Sequence, residues 1–175
     1  MKIYVIRHGE TTGDVEDRFG GSYDDHLTEK GKSQLQQTAT SLIGKNIEII
    51  LSSPLIRARE SVEIINGQIA VPVEIIDGLR ERHYGVLTGL TKVVAKERFP
   101  EVVESHKDPL YTDPEGESYE DFNARVISTF KDISARKYKT VAIVSHGGPI
   151  KTIYRFIGKE LNRQLGDGEI LELEI

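Results

Sequence analysis

Apolar residues fall in short blocks whose period switches between that of a strand and that of a helix. Ile3, Tyr4, Val5 and Ile6 form a partly β-branched run that reads as a buried strand. Behind Thr28, a candidate N-cap, Leu35, Ala39, Leu42 and Ile43 recur at 3.6-residue spacing, with Gly44 close to the stop. Residues 47–51 give a second strand ending in Ser52-Ser53-Pro54. The next helix buries Leu55, Ile56, Ala58, Val62 and Ile65 and carries Arg57 in its first turn. Residues 71–76 read as a third strand, and residues 91–99 as a helix that Pro100 breaks before a further short helix over 101–107. Ser118 with Asp121 approximates a capping box for a helix through Phe122, Val126, Ile127, Phe130 and Ile133. Residues 140–144 are almost wholly apolar, as a central parallel strand requires. Pro149 suits the first position of a helix running through Ile153, Phe156 and Ile157 to Gly158, and residues 170–175 alternate as an edge strand does.

Strands separated by amphipathic helices imply right-handed crossovers. The expected fold is α/β, a three-layer α/β/α arrangement around a mostly parallel sheet, with residues 1–175 forming a single domain. No repeat or linker interrupts it. The absence of cysteine removes disulfides, thiolate metal sites and a cysteine nucleophile. A net charge of −5 with mixed signs argues against nucleic acid as a partner, so an anionic substrate must be held by a local cluster of cations. No apolar run approaches the ~20 residues of a membrane span, and the chain opens directly on a strand without a basic and apolar leader. The expected setting is cytoplasmic, with no membrane partner and a monomeric or homodimeric state.

The chemistry gathers at strand ends. The first strand stops abruptly in Arg7-His8-Gly9-Glu10, the second leads to Arg57, and the fourth ends in Ser145-His146-Gly147-Gly148. Taken singly these are weak signals. A cationic pair at a strand end is usually just solvated, and Arg57 and Arg59 read equally well as exposed helix cations. In a doubly wound sheet, however, the C-terminal ends of parallel strands share one edge, so these groups can meet around one anion. A histidine there can act as nucleophile or proton carrier, a guanidinium can clamp an oxyanion, and Gly9 lets backbone N–H groups approach. Residues 11–25 form a glycine- and aspartate-rich loop over that edge. Residues 79–85 are dense in ionisable groups beside glycines. His26, His83 and His106 match no metal-ligand spacing, and no metal is assigned.

Arg7-His8-Gly9-Glu10-Thr11, Ser52-Ser53-Pro54-Leu55-Ile56-Arg57-Ala58 and Ser145-His146-Gly147-Gly148 together resemble, in order and spacing, the motifs of the histidine phosphatase superfamily, which includes the cofactor-dependent phosphoglycerate mutases. The resemblance implies a phosphoglycerate mutase-like fold and transfer through a phosphohistidine. His8 would attack phosphorus, with Arg7, Arg57 and His146 on the equatorial oxygens and Gly147 beside them. It places the proton donor and later base at Glu81, its rival Glu10 supporting the loop instead. Phosphoryl transfer needs positioning and charge neutralisation above all, which these cations can supply without a metal.

Glu81-Arg82-His83-Tyr84-Gly85, continuing to Gly89-Leu90-Thr91-Lys92, resembles the mutases more than generic phosphatases of the superfamily. By that match Arg82, Tyr84 and Lys92 would contact the carboxylate and phosphate of a phosphoglycerate, and 2,3-bisphosphoglycerate would be the cofactor. Two departures favour hydrolysis without a cofactor. The segment between Glu81 and His146 is short, leaving little chain for a lid that excludes water. Gly148 also stands where mutases usually have asparagine. Asp14 falls where the superfamily commonly has an asparagine on the phosphate. The expectation is that Asp14 turns away while backbone N–H groups of Gly20 and Gly21 donate. The expected activity is metal-independent hydrolysis of a small phosphorylated substrate, with phosphoglycerate mutase as the alternative and a non-catalytic phospho-ligand binder as a third reading.

Overall fold

The computed structural model describes all 175 residues. Five strands form one sheet: β1 (Lys2–Arg7), β2 (Ile49–Ser52), β3 (Val73–Ile75), β4 (Thr140–Ser145) and β5 (Ile170–Glu174), in the order β3-β2-β4-β1-β5. The first four are parallel and β5 runs antiparallel on the edge beside β1. β4 lies at the centre with all six residues buried, which its nearly uninterrupted apolar sequence requires.

Alternation along the strands divides the core between the two faces. Ile3, Val5, Ile49, Leu51, Val141 and Ile143 pack against α6 (Tyr119–Ser134) and α7 (Gly147–Phe156) through Phe122, Val126, Phe130, Ile150 and Ile153. Tyr4, Ile6, Ile50, Ala142 and Val144 face α2 (Glu29–Leu42) and α3 (Ile56–Ile69) through Leu35, Ala39, Leu42, Ala58, Val62 and Ile65. The result is the expected three-layer α/β/α fold.

Several boundaries shift for identifiable reasons. β3 spans three residues because Pro72 has no N–H for a ladder, although its carbonyl accepts from Ile50 N at 2.9 Å. β2 starts at Ile49: Glu48 N still donates to the Thr140 carbonyl at 3.0 Å, but the N–H groups of Lys139 and Thr140 turn to the Glu48 carboxylate and not to a β2 carbonyl. Pro100 separates α4 (Lys92–Arg98) from α5 (Pro100–Ser105) by opening the second helix at its first position. The stretch 11–25 is not loop throughout. Thr11 Oγ1 accepts from Asp14 N at 3.1 Å while the Asp14 carboxylate accepts from Thr11 N at 2.9 Å, a capping box that winds one turn, α1 (Thr12–Val15).

Candidate active site

The C-terminal edge of the parallel strands carries a polar pocket of about 440 Å³, lined among others by Arg7, His8, Gly20, Gly21, Arg57, Glu81, Tyr84 and Gly147. His8 follows β1, Arg57 occupies the first turn of α3 behind β2 and His146 stands at the N-cap position of α7 behind β4, so three parallel strands deliver these residues to one edge of the sheet. The ring centroids of His8 and His146 are 5.1 Å apart.

Arg57 Nε stands between the two rings, 3.2 Å from His8 Nε2 and 3.2 Å from His146 Nδ1. A guanidinium N–H is only a donor, so both nitrogens facing it must be acceptors. His8 Nδ1 then carries the proton and donates to the Gly9 carbonyl at 2.8 Å. His146 Nε2 likewise donates to Ser53 Oγ at 2.7 Å. Both histidines are therefore neutral with a fixed tautomer, and the one lone pair of His8 Nε2 accepts from Arg57 Nε at the pocket wall, where an incoming phosphoryl group must take the place of that contact. Burial holds both well below the ordinary histidine range. The Arg57 charge adds to this, and so does Arg7.

Each cation is tethered. Arg57 is 3 % exposed and donates to the carbonyls of Tyr23 and Gly21 at 2.5 and 2.6 Å and to Asp25 Oδ1 at 2.9 Å. Arg7 donates to the Leu165 carbonyl and pairs with Asp167 at 3.2 Å, while its buried Nε has no protein acceptor. Burial raises the Asp167 carboxyl above the usual range, with Arg7 pulling the other way.

Glu81 enters from the segment after β3. Its Oε1 accepts from Arg82 N at 3.0 Å and its Oε2 from Gly148 N at 2.9 Å, which aims the carboxyl into the pocket beside the histidines. Glu10 is occupied elsewhere, accepting from Thr28 Oγ1 at 2.8 Å and pairing with Lys30 at 2.5 Å, so it supports the loop. The Asp14 residue lines the pocket, yet its Oδ2 is bound by the Thr11 backbone and hydroxyl.

The structure brings His8, Arg7, Arg57 and Glu81 together, with Gly20, Gly21, Tyr84 and Gly147 in the same walls; the His146 ring is buried behind them, against Arg57 and Ser53, and does not line the pocket. The N–H groups of Gly20 and Gly21 are not committed to any protein acceptor. Arg82 and Lys92 are not in the pocket. The Arg82 guanidinium donates to the carbonyls of Glu117, Pro109 and Tyr111, bracing the loop before α6, and Lys92 pairs with Asp17 at the surface. Gly9 also differs from its expected use. Its N–H reaches Ser61 Oγ, and a β-carbon on it would meet the Gly31 carbonyl at 2.6 Å, so the glycine serves close packing on α2.

Sequence reading missed Asp25, the roles of Ser53 and Gly148 as neighbours of the reacting groups, Lys151 in the pocket wall, and the Leu165–Asp167 turn beneath Arg7. Asp25 left a signal, an acidic pair at the end of a polar loop, but its partner is 32 positions away. No three histidine, aspartate or glutamate side chains are grouped as a metal ion would need. No helix is long and apolar enough to cross a membrane.

Residues 3–168 match the family model of the histidine phosphatase superfamily, branch 1. The chain belongs to that superfamily. A 2,3-bisphosphoglycerate-dependent phosphoglycerate mutase of Rhizobium etli is 32% identical over 164 residues, covering 86% of this chain and 77% of that protein. The uncharacterized phosphatase PhoE of Bacillus subtilis is 30% identical over 152 residues, covering 86% of this chain and 74% of that protein. Among solved structures, the alpha-ribazole phosphatase of Shigella flexneri superposes with a TM-score of 0.91 at 26% identity, covering 100% of this chain and 91% of that one. Phosphatases and mutases of the superfamily are thus both among the relatives, and the sheet and its helices are those of the phosphoglycerate mutase-like fold.

Proposed function

We propose that the protein is a metal-independent phosphomonoester hydrolase acting on small phosphorylated metabolites through a phosphohistidine. The observation that carries this reading is the neutral His8, its Nδ1 proton fixed on the Gly9 carbonyl and its Nε2 lone pair turned to the Arg57 side of the pocket. A nucleophilic imidazole needs that tautomer, and an anionic phosphoryl group needs the cations around it.

In the first half-reaction Nε2 forms the N–P bond as the P–O bond to the alcohol breaks. Glu81 gives its proton to the departing oxygen. In the second, Glu81 takes a proton from water as the water oxygen displaces Nε2 and inorganic phosphate leaves. Arg7 and Arg57 neutralise the equatorial oxygens throughout, aided by the free N–H groups of Gly20 and Gly21.

The mutase reading rests on the 32% identical relative. Against it stand Arg82 and Lys92, which it would need on the substrate and which instead hold backbone carbonyls and Asp17. The deciding experiment is a metal-free assay with 3-phosphoglycerate, with and without 2,3-bisphosphoglycerate, following both 2-phosphoglycerate and free phosphate. Cofactor-stimulated 2-phosphoglycerate without phosphate would overturn the hydrolase. Phosphate release supports it, and a wider panel of phosphomonoesters follows if 3-phosphoglycerate is not a substrate.

A further inference from the structure

Beyond the reaction pocket lies a second cleft of about 260 Å³ that shares with it one wall, made by Glu81, Tyr84, Gly148 and Lys151. If Glu81 protonates the leaving oxygen, the rest of the alcohol extends past Glu81 and reaches this cleft. Its chemistry is one-sided. Arg82, Lys107, Lys151 and Arg155 line it, and Glu81 is the one carboxylate that does.

The cations differ in how far they are already satisfied. Arg82 is spent on three carbonyls, Lys107 pairs with Glu104 at 2.5 Å, and Arg155 donates to the Tyr119 hydroxyl. Lys151 has neither a hydrogen bond nor an ion pair with any protein group, and it stands on the rim common to both cavities. Arg155 is one helical turn further along α7, on the same face.

A fixed floor completes the cleft. His106 Nδ1 is held by the Asp113 carboxylate at 2.8 Å, and the ring is clamped edge-on by Phe19 and Tyr84 at centroid distances of 5.2 and 4.7 Å. Asp113 is 3 % exposed and its other oxygen has no partner, so that carboxylate is dedicated to orienting the histidine. His106 Nε2 makes no protein hydrogen bond.

We infer that this cleft is a leaving-group subsite, with Lys151 as its principal cation and Arg155 behind it, selecting phosphomonoesters whose alcohol carries a second acidic group. The inference rests on the hydrolase reading, because it takes Glu81 as the proton donor that fixes the direction of the alcohol. An anion held there is bound equally before and during transfer, so its loss raises KM more than it lowers kcat.

The test compares 4-phosphooxybutanoate with its methyl ester, which differ by one charge and share the leaving oxygen. The wild type should prefer the acid. Lys151→Gln should lower the acid-to-ester ratio of kcat/KM by about tenfold, chiefly through KM, and Lys151→Gln with Arg155→Gln should lower it further. Lys151→Arg should keep the ratio within about twofold, since it retains the charge. A wild-type ratio at or below one, or a ratio that Lys151→Gln leaves unchanged, removes the subsite. Phosphate release from both compounds in that case leaves the hydrolase standing. Absence of release from either, with no phosphorylation of His8, removes both.

Discussion

The backbone N–H of Gly148 donates to Oε2 of Glu81 at 2.9 Å, and a β-carbon built on Gly148 would lie 2.1 Å from Oε1 of the same carboxyl. The absence of a side chain at the second position of α7 thus defines where the proton donor stands. Gly148→Ala should stabilise the helix by its better propensity but drive the carboxyl from its seat. The expected loss is about 10²-fold in kcat on alkyl phosphates, within the range general acid catalysis supplies. A fully active alanine variant would show that the seat is dispensable.

Glu81→Gln keeps the shape and removes the proton. Its effect should scale with the leaving group, about 10²–10⁴-fold for alkyl phosphates and much less for an activated aryl phosphate, whose departing oxygen needs no proton. Equal losses on the two substrates would argue that Glu81 positions the site without giving a proton.

His8→Ala should abolish phosphate release and the acid-labile phosphoprotein that accumulates on rapid quenching. The residue packs at the end of β1 without belonging to either apolar cluster, so the circular dichroism spectrum should be unchanged. Residual turnover would move the nucleophile elsewhere.

Asp25 and Arg57 form an ion pair in which each side chain is only 4% exposed. Removing one partner of such a pair leaves a buried charge uncompensated, so Asp25→Ala should cost roughly 3 kcal/mol in denaturant unfolding. Arg57 keeps the carbonyls of Tyr23 and Gly21, which limits the damage to position rather than presence. Activity should fall with stability. A variant as stable as the wild type would mean that the two carbonyls suffice.

The three strand-end motifs were legible because each is local: an apolar run followed at once by its charged residues, as in Val5-Ile6-Arg7-His8 or Val144-Ser145-His146. The α/β layering followed from the same periodicity. What was hidden depends on contacts between distant segments. Asp25 reads as loop until α3 brings Arg57 to it, and Gly148 reads as a helix start until Glu81 is seen resting on its N–H. Arg82 and Lys92 show the converse. Their types suit an anion, but Arg82 is drawn away by three carbonyls of the 109–117 loop and Lys92 by Asp17, which no spacing announces.

The neutral histidines also set a pH limit on stability. Burial, followed by the Arg57 charge, lowers both His8 and His146 below the ordinary value of 6.5 in the folded protein. Between that lowered value and about 6.5 the unfolded chain binds protons at these two positions that the folded chain does not, so their contribution to stability is complete above this window and declines as pH falls through it. Each pK unit of lowering is worth about 1.4 kcal/mol per histidine. Carboxylates held low by partners, such as Glu10 beside Lys30 and Glu74 beside Arg136, add acid sensitivity only near or below 4.5, so the two windows separate. Urea midpoints measured from pH 4.5 to 8 should fall below pH 6.5 in the wild type. His146→Asn, which can still reach Ser53, should flatten the part of that slope above pH 5. The same slope in wild type and variant would mean that His146 takes up its proton as readily folded as unfolded, and the neutral, Ser53-bound tautomer would have to be abandoned.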